Sequence, residues 1–141
     1  MFVLLLLIFF PLLDLLGICF DYGVIALLNY NQTHEASLLP ADKANDPNGP
    51  VKKEIPDQWR HTGIARFVKV VGNPTTTINY RNGESNGNNT TEKIVIVNTT
   101  VVCDPFIFLP IPVVRIQGLN ASMKLSATSE RPMENADNAM P

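Results

Sequence analysis

The first 28 residues decide what this chain can be. Twenty-three of them are apolar and none is Lys or Arg. A helix rises about 1.5 Å per residue, so such a run reaches about 42 Å, against a bilayer hydrocarbon core of about 30 Å. It is long enough to cross a membrane and to continue beyond it. After Leu28 the composition changes. The rest of the 141-residue chain holds all 11 basic residues and 11 of the 13 acidic ones. The formal net charge of −2 therefore sits inside the apolar run, on Asp14 and Asp21. A charge-balanced remainder excludes a nucleic-acid partner, which would need a basic surface.

Two readings of the apolar run compete. A cleaved secretory signal needs a basic start, an apolar stretch of about 7–15 residues and a small-x-small cleavage site. No basic residue precedes the run, and its best small stretch, Gly17-Ile18-Cys19, is a poor site. A bacterial lipoprotein would want a small residue directly before Cys19, where Ile18 stands. The second reading is a retained, single-pass membrane anchor. Pro11 fits it, because neighbours or water can satisfy the carbonyl that proline frees in a membrane helix. A central Asp costs roughly 2.5–3.5 kcal/mol on insertion scales, offset by Leu and Phe at about 0.3–0.6 kcal/mol each.

Asp14 and Asp21 are seven apart, so at about 100° per residue they point in nearly the same direction. Carboxylates at membrane depth usually face protein rather than lipid. Asp14 and Asp21 are therefore the candidate helix-packing residues. The simpler alternative places Asp21 in the headgroup region and leaves only Asp14 unusual.

Beyond the run, Tyr22, Ile25, Leu28, Gln32, Ala36 and Leu39 recur at three- and four-residue steps, a helical stripe that grows more polar along the chain. The spacing predicts one continuous helix from about position 2 to about 38, stopped by Pro40. Residues 1–28 form its membrane span and 29–39 an amphipathic extension. Residues 40–63, with Pro40, Pro47, Pro50 and Pro56, read as a loop region. Within it, Asp57–Gly63 is a possible turn of helix and Trp59 a packing anchor.

From Ile64 the pattern turns to β. The runs Ile64–Val71, Thr75–Arg81, Glu92–Cys103 and Leu119–Thr128 are branched, aromatic or alternating, with a Gly- and Asn-rich hairpin tip over Asn82–Asn89. In the second run Thr76, Ile78 and Tyr80 share a side. In the last, Leu119, Ala121, Met123, Leu125 and Ala127 alternate with polar residues, the mark of a strand with one wet face. Hairpin-length links predict an antiparallel meander over residues 64–128, with the helix covering one face. Residues 129–141 read as a polar tail. The fold class expected is α+β.

Catalytic and metal chemistry is not legible. His34 and His61 form no cluster with the two cysteines, and a zinc site needs three or four ligands at workable spacing. His34 beside Glu35 on a helix reads as a surface residue. Cys19 lies at bilayer depth, which argues against a bond to Cys103; a disulfide between chains through Cys103 stays open. No nucleophile elbow, phosphate loop or dinucleotide fingerprint occurs. The expectation is a non-enzyme with no catalytic, metal or cofactor-binding residue and no cofactor. Five Asn-x-Ser/Thr sequons, at Asn31, Asn88, Asn89, Asn98 and Asn120, have meaning only in a eukaryotic secretory pathway. In a chain with 14 Asn, several such matches are expected from composition alone.

The layout resembles the TadE/TadG-like pseudopilins of bacterial tight-adherence (Flp-type) pilus systems. The resemblance rests on three stretches. Leu12-Leu13-Asp14-Leu15-Leu16-Gly17-Ile18-Cys19-Phe20-Asp21-Tyr22-Gly23 is similar to the family's run into its membrane exit. Phe106-Ile107-Phe108-Leu109-Pro110-Ile111-Pro112 resembles its Pro- and Phe-rich connection. Leu119–Thr128, followed by Ser129-Glu130-Arg131-Pro132-Met133-Glu134-Asn135, resembles its last strand and tail.

The family resemblance implies a pilus-assembly component in the bacterial inner membrane, with its C-terminal domain extracytoplasmic. Its partners would be the lipid bilayer and other pilin-like and pilus-assembly proteins. It also implies that Asp14 pairs with an amine or a Lys of a neighbouring helix. The family's basic leader, small processing residue and early Glu are not found here, so the expectation is a natural start upstream of Met1. The alternative is a secreted or surface glycoprotein with a cleaved signal and N-linked glycans.

Overall fold

A computed structural model describes residues 1–86, 90–109 and 114–134. The sequons at Asn88 and Asn89, Pro110 and Pro112, and the last part of the tail lie outside the described residues. The architecture is α+β: a long N-terminal helix laid across a small three-stranded antiparallel sheet.

Helix α1 runs unbroken over Phe2–Leu38, through Pro11. It ends where the residue before Pro40 turns extended. Leu39 has φ −93° and ψ 149°, as the proline ring demands of its predecessor, and its N–H still closes on the Glu35 carbonyl at 3.2 Å. The helix is long and apolar enough at its N-terminal end to cross a membrane.

Residues 40–63 hold more order than their prolines suggest. Helix α2 (Ala41–Asn45), a wide turn over Pro50–Glu54 and helix α3 (Ile55–Arg60) follow one another. Prolines at the first turn of a helix cost nothing, because that N–H has no helical partner anyway. Pro56 sits in the first turn of α3 and Pro50 opens the wide turn. Trp59 is buried in the core, as its place in the sequence leads one to expect.

The sheet comprises β1 (Val70–Asn86), β2 (Thr90–Cys103) and β3 (Met123–Pro132), in the order β1-β2-β3 with both pairs antiparallel. Three strands stand where the sequence pattern suggested four. Of the first expected run only Val70 and Val71 are strand, and they join the second run in β1. Gly72-Asn73-Pro74 does not break the chain; it forms an irregularity between Val71 and Thr75, and Gly72 takes φ +76°, which a side chain would strain. Residues ahead of Val70 are turn, with Ala65 and Val68 buried. Leu119 and Ala121 precede the last strand, and β3 continues through Ser129–Pro132 into the stretch expected as tail. Met133 is also fixed: its N–H bonds the Lys93 carbonyl at 2.8 Å and its side chain is buried.

Side chains alternate across the sheet. Ile78 on β1, Val95, Val97, Thr99 and Val101 on β2, and Leu125 and Ala127 on β3 are buried toward the helix. On the outer face Asn98 bonds Thr128 and Arg81 pairs with Glu130. One face is dry and one wet, so the helix is what completes the core. That core has two apolar clusters. One gathers Val24, Ile25 and Leu28 with Trp59, Val101 and Leu125. The other gathers Ala36 with Val51, Ile78, Val95, Val97 and Met133. At roughly 1.5–3 kcal/mol for each large side chain buried, these clusters dominate the stability of the fold.

Candidate functional site

The junction between α1 and the sheet domain carries the features that set this molecule apart. It has a polar seam in its middle and an apolar collar at the end nearest the membrane-length segment.

The seam follows from the helix period. Ile25, Leu28, Asn29, Gln32, Thr33, Ala36 and Ser37 are buried and lie on the face that meets the sheet. Four of these seven are polar. They are tolerated because each finds partners, and a buried polar group left alone would cost about 1–3 kcal/mol. The Asn29 amide donates to the Val97 carbonyl at 2.9 Å and to Thr99 Oγ1 at 3.0 Å. Thr99 in turn donates to Gln32 Oε1 at 2.6 Å. The Gln32 amide donates to the Val51 carbonyl at 2.6 Å and to Thr76 Oγ1 at 2.8 Å. Ser129 donates to Asn29 Oδ1 at 2.6 Å. The chain of bonds ties α1 to all three strands and to the Pro50–Glu54 turn. It also separates the two apolar clusters. Its signal in the sequence was the spacing of Asn29, Gln32, Thr33 and Ser37, which continues the Ile25–Leu28 stripe.

Opposite the sheet, α1 is largely uncovered. Leu16, Phe20, Leu27, Tyr30 and Leu38 are all exposed and fall on the far side of the helix. In the extension the buried face is partly polar and the exposed residues are mixed, Tyr30 and Leu38 beside Asn31 and His34, so the stripe read from the sequence is buried at Ile25, Leu28, Gln32 and Ala36 without a simple apolar-in, polar-out division.

Asp14 and Asp21 lie on the sheet side, in line with Leu28 and Gln32. Asp14 is 1% exposed, and its Oδ1 accepts the Ile107 N–H at 2.7 Å. Its Oδ2 is buried with no hydrogen-bond partner among the described residues. Asp21 is buried beside Ile18, Cys103, Met123 and Leu125, around a small void. Both carboxylates therefore face the chain's own domain.

The stretch Asp104–Leu109 acts as a strap over the helix. Besides the Asp14–Ile107 bond, Phe106 lies so close to Gly17 that a Cβ there would stand 3.0 Å from the Phe106 Cβ. Lys69 Nζ holds the strap from the other side through the Phe106 carbonyl, at 2.9 Å. Phe67 meets Phe20 edge-on at 6.4 Å between ring centroids. Between these groups lies an open, largely apolar cleft of about 460 Å³, lined by Leu13, Leu16, Gly17, Phe20, Phe67 and Phe106, with the charged residue Asp21 also in its wall.

No group of three or more His, Cys, Asp or Glu converges among the described residues. His34 and His61 are exposed. Cys19 is exposed on α1 and Cys103 is buried on β2, and both are free thiols. Burial, and then the charges of Asp21 and Asp104, push the Cys103 thiol up to about 12. A thiol so buried and so weakly acidic is not presented for a disulfide between chains.

Among the sequons, Asn98 is engaged with Thr128 on the outer sheet face. Asn120 folds back on its own loop, accepting the Ile116 N–H at 2.6 Å and donating to the Val114 carbonyl at 2.7 Å.

Comparison with protein-family models, with curated proteins and with solved structures finds no match to this chain.

Proposed function

We propose that this chain is a membrane-anchored, non-enzymatic assembly component, of the pseudopilin kind that its sequence layout resembles. In this reading α1 holds the protein in a bacterial inner membrane by a single pass. The sheet domain stands outside the cytoplasm. Function comes from helix packing and from lateral contacts of the domain. The partners are other pilin-like and pilus-assembly proteins of a tight-adherence system.

One observation carries the reading: a single helix supplies both the membrane-length apolar segment and the face that completes the domain core. An anchor built this way transmits its position in the membrane rigidly to the domain. The exposed Leu27 and Tyr30 give a neighbouring helix a place to pack, while Asp14 and Asp21 are turned inward.

The secreted-glycoprotein alternative requires cleavage near Phe20. That cut would remove Asp14, Gly17 and Ile18, which hold the strap and pack on the core. The folded arrangement therefore supports retention.

The experiment is co-purification from native membranes with a tagged chain. Pilin-type proteins are expected to accompany the parent chain. Replacing Leu27 and Tyr30 by Glu is expected to lose them while the domain stays folded. Co-purification unaffected by that change would overturn the packing role of these two residues.

A further inference from the structure

The lower end of the domain is apolar where a water-facing domain would be polar. Phe67 and Phe108 are each 67% exposed, Val114 54% and Phe106 53%. Ile64 and Ile116 are exposed with them. These residues come from two separate parts of the chain, the turn before β1 and the connection from β2 to β3. Both parts reach the helix at one level. The Ile107 amide reaches Asp14, Phe106 sits against Gly17, and Phe67 sits against Phe20. Gly118 and Met123 line a void with Ile18 and Asp21. The collar therefore covers one side of the stretch Asp14–Asp21 of α1 and leaves Leu15, Leu16 and Cys19 exposed.

That level is also where the bilayer boundary must be chosen. If the apolar phase ended at Asp14, the exposed Leu15, Leu16 and Phe20 would stand in water together with the whole collar. If it ends near Asp21, all of them are removed from water together. Asp14 then enters the apolar phase, but it does so already buried, with one oxygen bonded to the strap. Exposed cations lie among the collar residues: Arg66 next to Phe67, Lys69 bound to the strap, and Arg115 between Val114 and Ile116. Asp104, near Lys69, is the acidic neighbour. Basic side chains beside exposed aromatics suit an anionic headgroup layer, where long stems reach outward and rings stay below.

We propose that this collar is a second membrane contact, in which the loops around Phe67 and Phe106–Phe108 sink into the headgroup–acyl boundary of the bilayer. The cleft between Phe67, Phe106, Leu16 and Phe20 then takes the end of a lipid acyl chain. The proposal rests on the reading of α1 as a retained anchor. It fixes the depth and tilt of the domain, which an anchor helix alone does not.

The test uses the full chain reconstituted in vesicles of phosphatidylcholine and phosphatidylglycerol, with part of the lipid brominated at a shallow acyl position. Phe67→Trp is compared with Thr77→Trp, an exposed site on the outer sheet face; the buried Trp59 is common to both. Flotation of the vesicles reports whether the chain is anchored at all. The expected result is that brominated lipid lowers the added Phe67→Trp emission by about half and leaves the Thr77→Trp emission unchanged. A floated chain whose Phe67→Trp emission is quenched no more than that of Thr77→Trp overturns the collar and leaves the anchor standing. A chain that does not float overturns the anchor, and the collar with it.

Discussion

Asn29 and Thr99 lie 70 positions apart and are joined by a buried hydrogen bond of 3.0 Å, from the Asn29 amide to Thr99 Oγ1. Asn29 also serves the Val97 carbonyl and Ser129, so its loss strands several partners at once. Asn29→Ala is expected to destabilise the domain by about 2–3 kcal/mol, the cost of unpaired buried groups. Urea unfolding of the detergent-solubilised chain measures this. A loss within error of zero would show that the seam is incidental to the fold.

Tyr80 behaves in the opposite way. Its hydroxyl is buried with no partner among the described residues, and burial, then the charge of Asp42, raise its pKa. Tyr80→Phe removes a hydroxyl that gains nothing from folding. The variant is expected to be as stable as the parent or more so, by up to about 1 kcal/mol. A clear loss of stability would mean that the hydroxyl is paired in solution.

Cys103 sets an alkaline limit. In the unfolded chain a thiol ionises near its ordinary pKa of 9.0, whereas the folded protein holds the proton up to about 12. The contribution to stability is complete below pH 9 and is lost as pH rises from about 9 to 12, because only the unfolded state releases a proton in that window. The urea midpoint is expected to fall between pH 9 and 11, and to fall less steeply in Cys103→Ala. Equal slopes for the two proteins would contradict the assignment. At pH 8 the folded thiol is expected to resist alkylation.

Asp14 anchors the strap. Asp14→Leu should insert in the membrane as well as the parent or better, since it exchanges a carboxylate for an apolar side chain. The Ile107 amide should lose hydrogen-exchange protection by at least tenfold in Asp14→Leu and keep most of it in Asp14→Asn, which retains an acceptor. Unaltered protection in the Leu variant would show that the bond does not hold the strap.

The elements with a local cause could be read before the structure was known. The apolar run, the three- and four-residue steps and Pro40 marked α1 from about 2 to 38, and the helix occupies Phe2–Leu38. Alternation marked the shared face of Thr76, Ile78 and Tyr80 and the wet face of the last strand. What escaped was set by distant partners. Gly72-Asn73-Pro74 looks like a chain break, but β2 pairs on both sides of it and turns it into an irregularity within β1. The side of α1 that meets the sheet could be narrowed to a stripe, but its polar members required Thr99, Thr76 and Ser129 opposite them. Asp14 and Asp21 were seen to share a face. That the chain's own strap meets Asp14 depends on a contact 93 residues away, which no periodicity encodes.

The most direct test of the account is the intact mass of the protein that remains in membranes after alkaline carbonate extraction. A chain whose helix is both anchor and core is expected to stay in the pellet with residues 1–20 attached. A soluble product whose mass begins near Phe20 would contradict it.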